Sequence, residues 1–218
     1  MVPLGPILYR VGYRPLAGAS MLVLFIVSMA AHYTLSGLGL VFFGGEGLRS
    51  RPFSDTQFKL GPLDITAQSL WVVFASLFVM ALLWLLFERT LYGKALRATA
   101  INRLGARLVG IPTELSGSLS FTLAAFIGAV SGILISPATT IYYDTGFLIG
   151  LKGFVGAILG GMASYPLAVL GAVILGLFES FASFWASTFK EVIVFTLIIP
   201  VLVWRSLTSL HHVEDEEQ

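Results

Sequence analysis

Long apolar runs are the feature of this chain that most limits its possible folds. They fall at residues 21–43, 68–87, 115–135 and 188–204. A helix crosses a bilayer with roughly 20 mostly apolar residues. Only 11% of the 218 residues are charged, whereas soluble domains carry about 25%, so lipid must cover much of the surface. The sequence therefore predicts an integral, multi-pass membrane protein.

A further apolar segment, 146–181, is too long for one span and short for two full ones. It is interrupted by two glycines and a proline, Gly160, Gly161 and Pro166. We predict a tight hairpin of two short helices, 146–159 and 166–182. One long tilted helix is the alternative, which paired glycines and a proline disfavour. The predicted fold class is all-α, a single polytopic transmembrane helix bundle over residues 1–218 with about six spanning segments.

Basic residues between the spans predict the orientation of the chain, because short cytoplasmic loops are enriched in Lys and Arg. The segment 88–114 carries five of them, namely Arg89, Lys94, Arg97, Arg103 and Arg107. The loop 44–67 balances three basic residues against three acidic ones. We therefore expect 88–114 on the cytoplasmic side. Arg10, Arg14 and Arg205 place both termini there as well, and six passes satisfy that parity.

Small residues recur at every fourth position along three of the predicted helices. The third span has them from Ser116 to Ser136, the first hairpin arm at Gly156 and Gly160, and the second arm at Ala168, Ala172, Gly176 and Ser180. In lipid, small residues let helix backbones approach closely. The glycines in these stripes are Gly128, Gly132, Gly156, Gly160 and Gly176. We interpret them as helix-packing positions, with a subunit interface or a translocation path as the functional alternative.

Three ionisable residues, His32, Lys152 and Glu179, stand out within apolar segments. Such residues are costly in a membrane and are candidates for function. In the predicted hairpin, Lys152 and Glu179 lie near the same end of two antiparallel helices and can form a pair. Their pairing predicts a structural clasp, or alternatively a proton or substrate contact. For His32 we favour an interhelical hydrogen bond over a proton relay.

Several classes of site have no support in the residues. Cysteine is absent and only three histidines occur, two of them in the charged tail, so we predict no metal site. No His–acid pair accompanies a serine at membrane depth. The glycines at 44–47 lack the Gly-Lys-Ser/Thr ending of a phosphate-binding loop. A net charge of +1 gives no argument for nucleic acid. We predict that the chain is not an enzyme.

The segment 91–112 mixes good helix formers with spaced basic residues, and Gly110 and Pro112 supply a stop signal. This pattern predicts a short helix at the cytoplasmic surface. A positive-inside anchor is the simpler interpretation. It explains the charge but leaves the spacing of Ala106 and Gly110 unexplained.

From about residue 88 to 205, the sequence resembles the permease subunits of bacterial branched-chain amino acid ABC transporters. The matching motifs are GKALRA at 93–98, ARLVGI at 106–111, GFLIGLKGF at 146–154, LGGMAS at 159–164 and GLFES at 176–180. Their order and spacing also match that family. A shorter likeness is the YRPL motif at 13–16.

The resemblance implies the inner-membrane permease of an ATP-driven importer for branched-chain or related amino acids. Its 88–114 loop would dock on cytoplasmic ATPase subunits, which hydrolyse ATP, so the chain itself binds no cofactor. Further implied partners are a second permease subunit (identical or related), a periplasmic amino-acid-binding protein and membrane lipid. The residues that the resemblance assigns to docking are Arg97, Ala98, Arg103, Ala106, Arg107, Gly110 and Ile111.

Permeases of this family have several further spans before the YRPL motif. We therefore expect a truncated product, a mis-assigned start or a divergent short permease. A secondary transporter or channel is the alternative from another class, and it would need its own ion-coupling groups. A non-functional permease remnant is the third hypothesis.

Overall fold

The computed structural model describes residues 2–54, 56–60, 63–160, 165–185, 187–196, 199–200 and 203. The chain divides into two units, Met1–Tyr143 and Asp144–Gln218. Two predicted features lie wholly outside the described residues: Arg205 and the charged tail. The loop between the hairpin arms, at 161–164, and part of the predicted span 188–204 also lie outside them.

Helices form most of the first unit. A short helix and a π-helical turn (Leu4–Leu8 and Tyr9–Tyr13) precede the first long one. In chain order we number the helices α1 (Leu4–Leu8), α2 (Met21–Phe43), α3 (Ala67–Arg89), α4 (Leu91–Ile101), α5 (Arg103–Leu108) and α6 (Thr113–Ile135). A small antiparallel hairpin of β1 (Gln57–Leu60) and β2 (Leu63–Thr66) lies in the loop before α3.

The described part of the second unit is also helical. Its elements are α7 (Thr145–Leu159), α8 (Tyr165–Trp185), a 3₁₀ turn (Ser187–Phe189) and α9 (Lys190–Thr196). Helices α7 and α8 pack against each other along their length. The predicted all-α fold with a short helical hairpin is confirmed, and the alternative of one long tilted helix is wrong.

Among the described residues, four helices are long and apolar enough to cross a membrane: α2, α3, α6 and the Pro166–Trp185 part of α8. The 15-residue α7 is apolar but shorter. None of the 23 residues of α2 is buried, and in α3 only Ala67 and Gln68 at its first turn are. A helix that is apolar on all sides and uncovered by protein requires an apolar solvent. The protein is therefore a multi-pass membrane protein.

In the first unit, the N-terminal segment packs on α6 through close backbone approach and aromatic rings. A Cβ on Gly5 would overlap the backbone of Phe121 and Thr122. The ring of Phe121 lies 5.6 Å from that of Tyr9 and 4.6 Å from that of Tyr13, both tilted. This contact fixes the segment before α2 against the start of α6.

In the second unit, a small core joins three helices. Val155 of α7, Leu175 of α8 and Val194 of α9 are each at most 4% exposed and pack together. Leu159 and Phe195 complete this core from its edge. The contact holds α9 against the α7–α8 hairpin, and this arrangement positions the charged residues described below.

Candidate functional site

The predicted cytoplasmic segment forms two short helices, α4 and α5, instead of the single helix expected from sequence. The chain turns from α3 into α4 at Thr90, whose hydroxyl donates to the Leu86 carbonyl (2.6 Å) and accepts from the Gly93 amide (3.0 Å). A Cβ on Gly93 would overlap the Leu86 carbonyl and Phe87. A glycine at this position therefore lets α4 lie directly against the end of α3.

Asn102 separates the two helices and begins the second. Its backbone is extended, with φ −147° and ψ 101°, and its side-chain oxygen accepts from the Gly105 amide at 2.8 Å. A side-chain acceptor at this position satisfies one of the free amides of the first helical turn. The break was missed because α-helical composition continues on both sides of Asn102.

The end of α5 is a Schellman motif centred on Gly110. The Ile111 amide bonds to the Ala106 carbonyl at 2.9 Å, and the Gly110 amide bonds to the Arg107 carbonyl at 3.0 Å. Gly110 has φ +83° and no atom within 4 Å of a Cβ placed there. The stop predicted at Gly110 is confirmed. Because the backbone conformation itself requires glycine, a substitution at Gly110 tests the loop backbone as well as docking.

Each arginine assigned to docking makes a bond within the first unit. Arg97 pairs with Glu88 at 2.5 Å. Arg103 Nη1 donates to the Ala17 carbonyl at 3.0 Å, and Arg107 Nε donates to the Thr113 hydroxyl at 2.9 Å. These bonds tie the loop to the helix ends beside it. The arginines therefore position the loop, whatever contacts they make with a partner.

Two small residues assigned to docking, Ala98 and Ala106, are partly or fully covered by the chain. Ala106 is 4% exposed, and Ala98 and Ile111 are half-buried. The side chain of Ala106 is therefore covered by the chain itself, and its docking role stays a prediction. Four apolar side chains instead face outward and form what we call the loop surface: Ile101 (86% exposed), Leu104 (70%), Leu108 (81%) and Val109 (75%).

Sequence reasoning missed the loop surface because it followed the small and basic residues. The signal that could have found it is spacing. Leu104 and Leu108 stand four residues apart in α5, the separation of neighbours on one helix face, and Ile101 ends α4 three residues before Leu104. In a segment predicted to lie outside the bilayer, such an apolar face needs an explanation.

Glycines and alanines make the α7–α8 contact. A Cβ on Gly160 would overlap the backbone of Leu167 and Ala168, and one on Gly156 would lie 3.0 Å from the Ala172 Cα. Gly171, which the sequence analysis left out, is equally close to the Gly156 carbonyl and the Gly160 amide. The predicted stripe includes Ala172, and Gly171, the residue just before it, also lies against the backbone of α7.

The other three predicted packing glycines make no such approach. A Cβ placed on Gly128 or Gly132 in α6, or on Gly176 in α8, would meet no atom within 4 Å among the described residues. In the α6 stripe, Ser116 is buried and its hydroxyl accepts from Thr99 at 3.2 Å. In this stripe, Ser116 therefore contacts α4, whereas Gly128 and Gly132 have no close neighbour among the described residues.

Lys152 lies between two carboxylates. Its Nζ is 2.6 Å from Glu179 Oε1 and 3.0 Å from Glu191 Oε1. Glu191 is the second residue of α9 and was not among the predicted charged residues. The three side chains, which we call the charged cluster, are 22%, 27% and 37% exposed and carry a net formal charge of −1.

One buried atom of the charged cluster has no partner among the described residues. Glu191 Oε2 is buried and makes no hydrogen bond in the described part of the chain. A carboxylate left unpaired in an apolar environment is costly unless it takes up a proton or meets a cation. The cluster can therefore clamp α7, α8 and α9 together, and it can also exchange a proton or contact a cationic group. Glu191 was overlooked because, next to Lys190, it resembles an ordinary charge at a helix start.

His32 lies in the middle of α2 and is half-buried. Its ring is 5.4 Å from the ring of Tyr33, in a tilted arrangement. The interhelical hydrogen bond expected of it stays a prediction. Among the described residues, no group of three potential metal ligands comes together.

The family model described as branched-chain amino acid transport system / permease component matches residues 2–202. The chain is 29% identical over 201 residues to the high-affinity branched-chain amino acid transport system permease protein LivH of Escherichia coli K12. That alignment covers 89% of this chain and 65% of LivH. This chain thus spans about two thirds of the length of that relative.

Two further relatives are similar. Identity is 30% over 215 residues to the high-affinity branched-chain amino acid transport system permease protein BraD of Pseudomonas aeruginosa, covering 95% of this chain and 70% of BraD. It is 30% over 142 residues to the autoinducer 2 import system permease protein LsrC of Shigella flexneri, covering 63% of this chain and 40% of LsrC. No solved structure matches the chain. The match over nearly the whole sequence, together with the membrane-spanning helices, shows that this chain belongs to the branched-chain amino acid transport permease family.

Proposed function

We propose that this chain is the transmembrane permease subunit of an ATP-driven importer for branched-chain or related amino acids. The family match over residues 2–202 carries the proposal. The named activities of LivH and BraD support this cargo class. We place the chain in the bacterial cytoplasmic membrane with both termini in the cytoplasm, as its distribution of basic residues predicts.

The loop surface is the proposed docking site for a cytoplasmic ATPase subunit. Exposed apolar side chains outside the bilayer favour a protein partner, because burying them removes apolar area from water. ATP chemistry then belongs to that partner, and the permease itself needs neither cofactor nor catalytic residues.

Movement of the loop would pass to two spanning helices, because α4 contacts both. Gly93 lies against the Leu86 carbonyl at the end of α3, and Thr99 donates to Ser116 of α6. Arg107, through Thr113, gives a second link to α6. A rigid displacement of α4 and α5 by the ATPase would therefore tilt α3 and α6, and this tilt is our proposed route from ATP hydrolysis to alternating access.

A second permease subunit, identical or related, would complete the translocation path. The open small-residue positions, Gly128 and Gly132 in α6 and Gly176 in α8, support this part of the proposal. In lipid, helices associate through close packing at such positions. A periplasmic amino-acid-binding protein would deliver the cargo at the opposite face from the loop surface.

The test is reconstitution of the permease with its ATPase subunits and binding protein, followed by ATP-dependent leucine uptake. We expect Leu104→Ser to weaken ATPase association about tenfold, because a buried leucine contributes about 1.5–3 kcal/mol. Leu91→Ser is the matched control, since Leu91 is 83% exposed but lies outside the loop surface. If both variants and the unchanged chain associate equally with the ATPase, the loop surface is not the docking site.

The charged cluster favours a second candidate function, a secondary transporter or channel. Lys152, Glu179 and Glu191 supply ion-coupling groups of the kind that such a protein needs. Uptake driven by an ion gradient in the absence of ATP and ATPase subunits would support this alternative. Uptake that requires both would exclude it.

A further inference from the structure

A polar cavity lies at the start of α3, in the loop that precedes this helix. Its volume is about 410 Å³. The polar side chains that line it are Arg49, Ser54, Thr56, Gln57, Thr66, Gln68 and Ser69. Arg49 supplies its only cationic group among these lining residues. The cavity therefore suits an anionic group.

The guanidinium of Arg49 is held at one end and open at the other. Its Nε donates to the Pro137 carbonyl at 3.2 Å. Neither terminal nitrogen bonds to another group within the described residues. Because guanidinium nitrogens form a planar fork that matches phosphate and carboxylate oxygens, an anion in the cavity can accept two hydrogen bonds from Arg49.

A fixed side chain forms part of the cavity wall. Gln68 is 4% exposed, and its oxygen accepts from the Phe53 amide at 3.2 Å while its nitrogen donates to the Leu134 carbonyl at 3.0 Å. The hydroxyls of Ser54 and Thr56 are hydrogen-bonded to each other at 2.8 Å. These bonds hold the lining in place before any ligand arrives.

An apolar cavity of about 410 Å³ adjoins the polar one and shares Ser54 and Thr56 with it. Its apolar wall is formed by the first turns of α3, through Leu70, Trp71 and Phe74. These side chains are 49%, 52% and 66% exposed. They lie on the outside of a helix long enough to cross the membrane, so the cavity opens toward lipid.

The apolar face continues beyond this cavity. Leu77 and Phe78 are 51% and 61% exposed and stand seven and eight residues after Leu70, on the same side of α3. The apolar part is therefore longer than the side chain of a leucine or isoleucine. An amphiphile with a long chain fits this shape, and a free amino acid would leave most of the apolar face uncovered.

We propose that this paired cavity binds one anionic phospholipid. Its phosphate group lies against Arg49 and the hydroxyls of Ser54 and Thr56, and one acyl chain lies along Leu70, Trp71 and Phe74. Tryptophan is enriched at the membrane–water boundary, the depth at which a headgroup meets its acyl chains. Lipids with a net negative headgroup are preferred, because the ammonium of a zwitterionic headgroup would be repelled by Arg49.

Trp71 provides a fluorescent reporter inside the site. The other tryptophans of the sequence are Trp84, Trp185 and Trp204, and replacing all three by Phe leaves Trp71 alone. This full-length variant is reconstituted in phosphatidylcholine bilayers with a small, equal fraction of brominated phosphatidylglycerol or brominated phosphatidylcholine. Bromine quenches only nearby tryptophan, so quenching measures which lipid lies beside Trp71.

We expect a roughly fivefold preference for phosphatidylglycerol, the effect of one well-placed basic residue near a lipid surface. Arg49→Gln should abolish the preference and Arg49→Lys should keep most of it. The matched control Arg51→Gln, two residues away and outside the cavity lining, should leave it unchanged. Unaltered circular dichroism in each variant ensures that folded proteins are compared.

Three results would overturn the assignment. One is equal quenching by the two lipids in the single-tryptophan protein. Another is an equal loss of preference in Arg49→Gln and Arg51→Gln, which would reduce the effect to general surface charge. The third is loss of the preference on adding inorganic phosphate or leucine, which would assign the polar cavity to a free phosphate or to an amino-acid carboxylate.

Discussion

The α4–α5 loop and the α7–α8 hairpin are both rich in small residues, but they use them differently. In the hairpin, Gly156, Gly160 and Gly171 bring two backbones into contact. In the loop, Gly110 serves a left-handed backbone conformation and Ala106 is buried, while larger apolar side chains point outward. The small residues of the hairpin therefore serve a contact within the chain, whereas the loop presents apolar side chains outside the predicted bilayer.

Charged residues follow the same division. The loop arginines bond to carbonyl, hydroxyl and carboxylate groups close to the loop. In the hairpin, one lysine serves two carboxylates and leaves one buried oxygen without a partner among the residues that the structure describes. The three loop arginines therefore have partners close by, whereas the charged cluster keeps a buried carboxylate oxygen that has none among the described residues. The following predictions test that contrast.

The largest expected effect is that of Gly171→Leu. The new side chain would overlap the Gly156 carbonyl and the Gly160 amide, which are backbone atoms that cannot move independently. We expect the free energy of unfolding, measured by SDS titration in mixed micelles, to fall by about 3 kcal/mol or more. Gly176→Leu is the matched control on the same helix, where a Cβ meets no atom of the described residues within 4 Å, and it should change stability by less than about 0.5 kcal/mol. Similar losses in both would mean that Gly171 does not form a close contact.

Next in size is Lys152→Met, which leaves Glu179 and Glu191 facing each other without a cation. We expect a loss of about 2 kcal/mol in the same titration, below the roughly 3–5 kcal/mol of a fully buried broken pair, because the side chains are partly exposed. The triple variant Lys152→Met, Glu179→Gln, Glu191→Gln removes all three charges and should recover most of this loss. No recovery in the triple variant would show that lysine packing, not charge, stabilises the hairpin.

A smaller effect is expected for Gly110→Ala. Its φ of +83° costs a residue with a Cβ about 1 kcal/mol. Limited proteolysis within the α4–α5 loop should speed up accordingly, because the Schellman motif opens more often. Gly132→Ala, at an open helical position with ordinary φ, serves as control and should leave proteolysis unchanged or slower. Faster cleavage in the control as well would show that the effect does not come from the loop backbone at Gly110.

The smallest expected effect on stability is that of Ile101→Ser in the loop surface. Ile101 is 86% exposed and belongs to the loop that connects the spanning helices α3 and α6 in sequence. The free energy of unfolding should therefore change by less than about 0.5 kcal/mol. SDS titration of the isolated permease measures this directly. A loss near that of the hairpin variants would mean that the loop surface already packs within the chain and is not open to a partner.

Sequence patterns predicted those features that depend on neighbouring residues. Apolar runs of the right length predicted the long helices, paired glycines with Pro166 predicted the hairpin, and Gly110 predicted the end of the loop helix. Asn102 shows the limit of such reasoning. Its side chain can cap a helix or lie within one. Only the tertiary structure, in which both α4 and α5 contact α6, selects the cap.

The sequence by itself determined membrane residence, the all-α fold class and the family, because length, hydropathy and motif order are properties of the chain alone. Only the tertiary structure decided that Glu191 joins Lys152, that Gly171 lies in the hairpin contact, and that Ala106 faces inward. The physical reason is the solvent. In lipid, the buried and exposed faces of a helix are both apolar, so the alternation that marks the buried face of a soluble helix is lost. Which side meets a neighbour is then set by packing between distant segments.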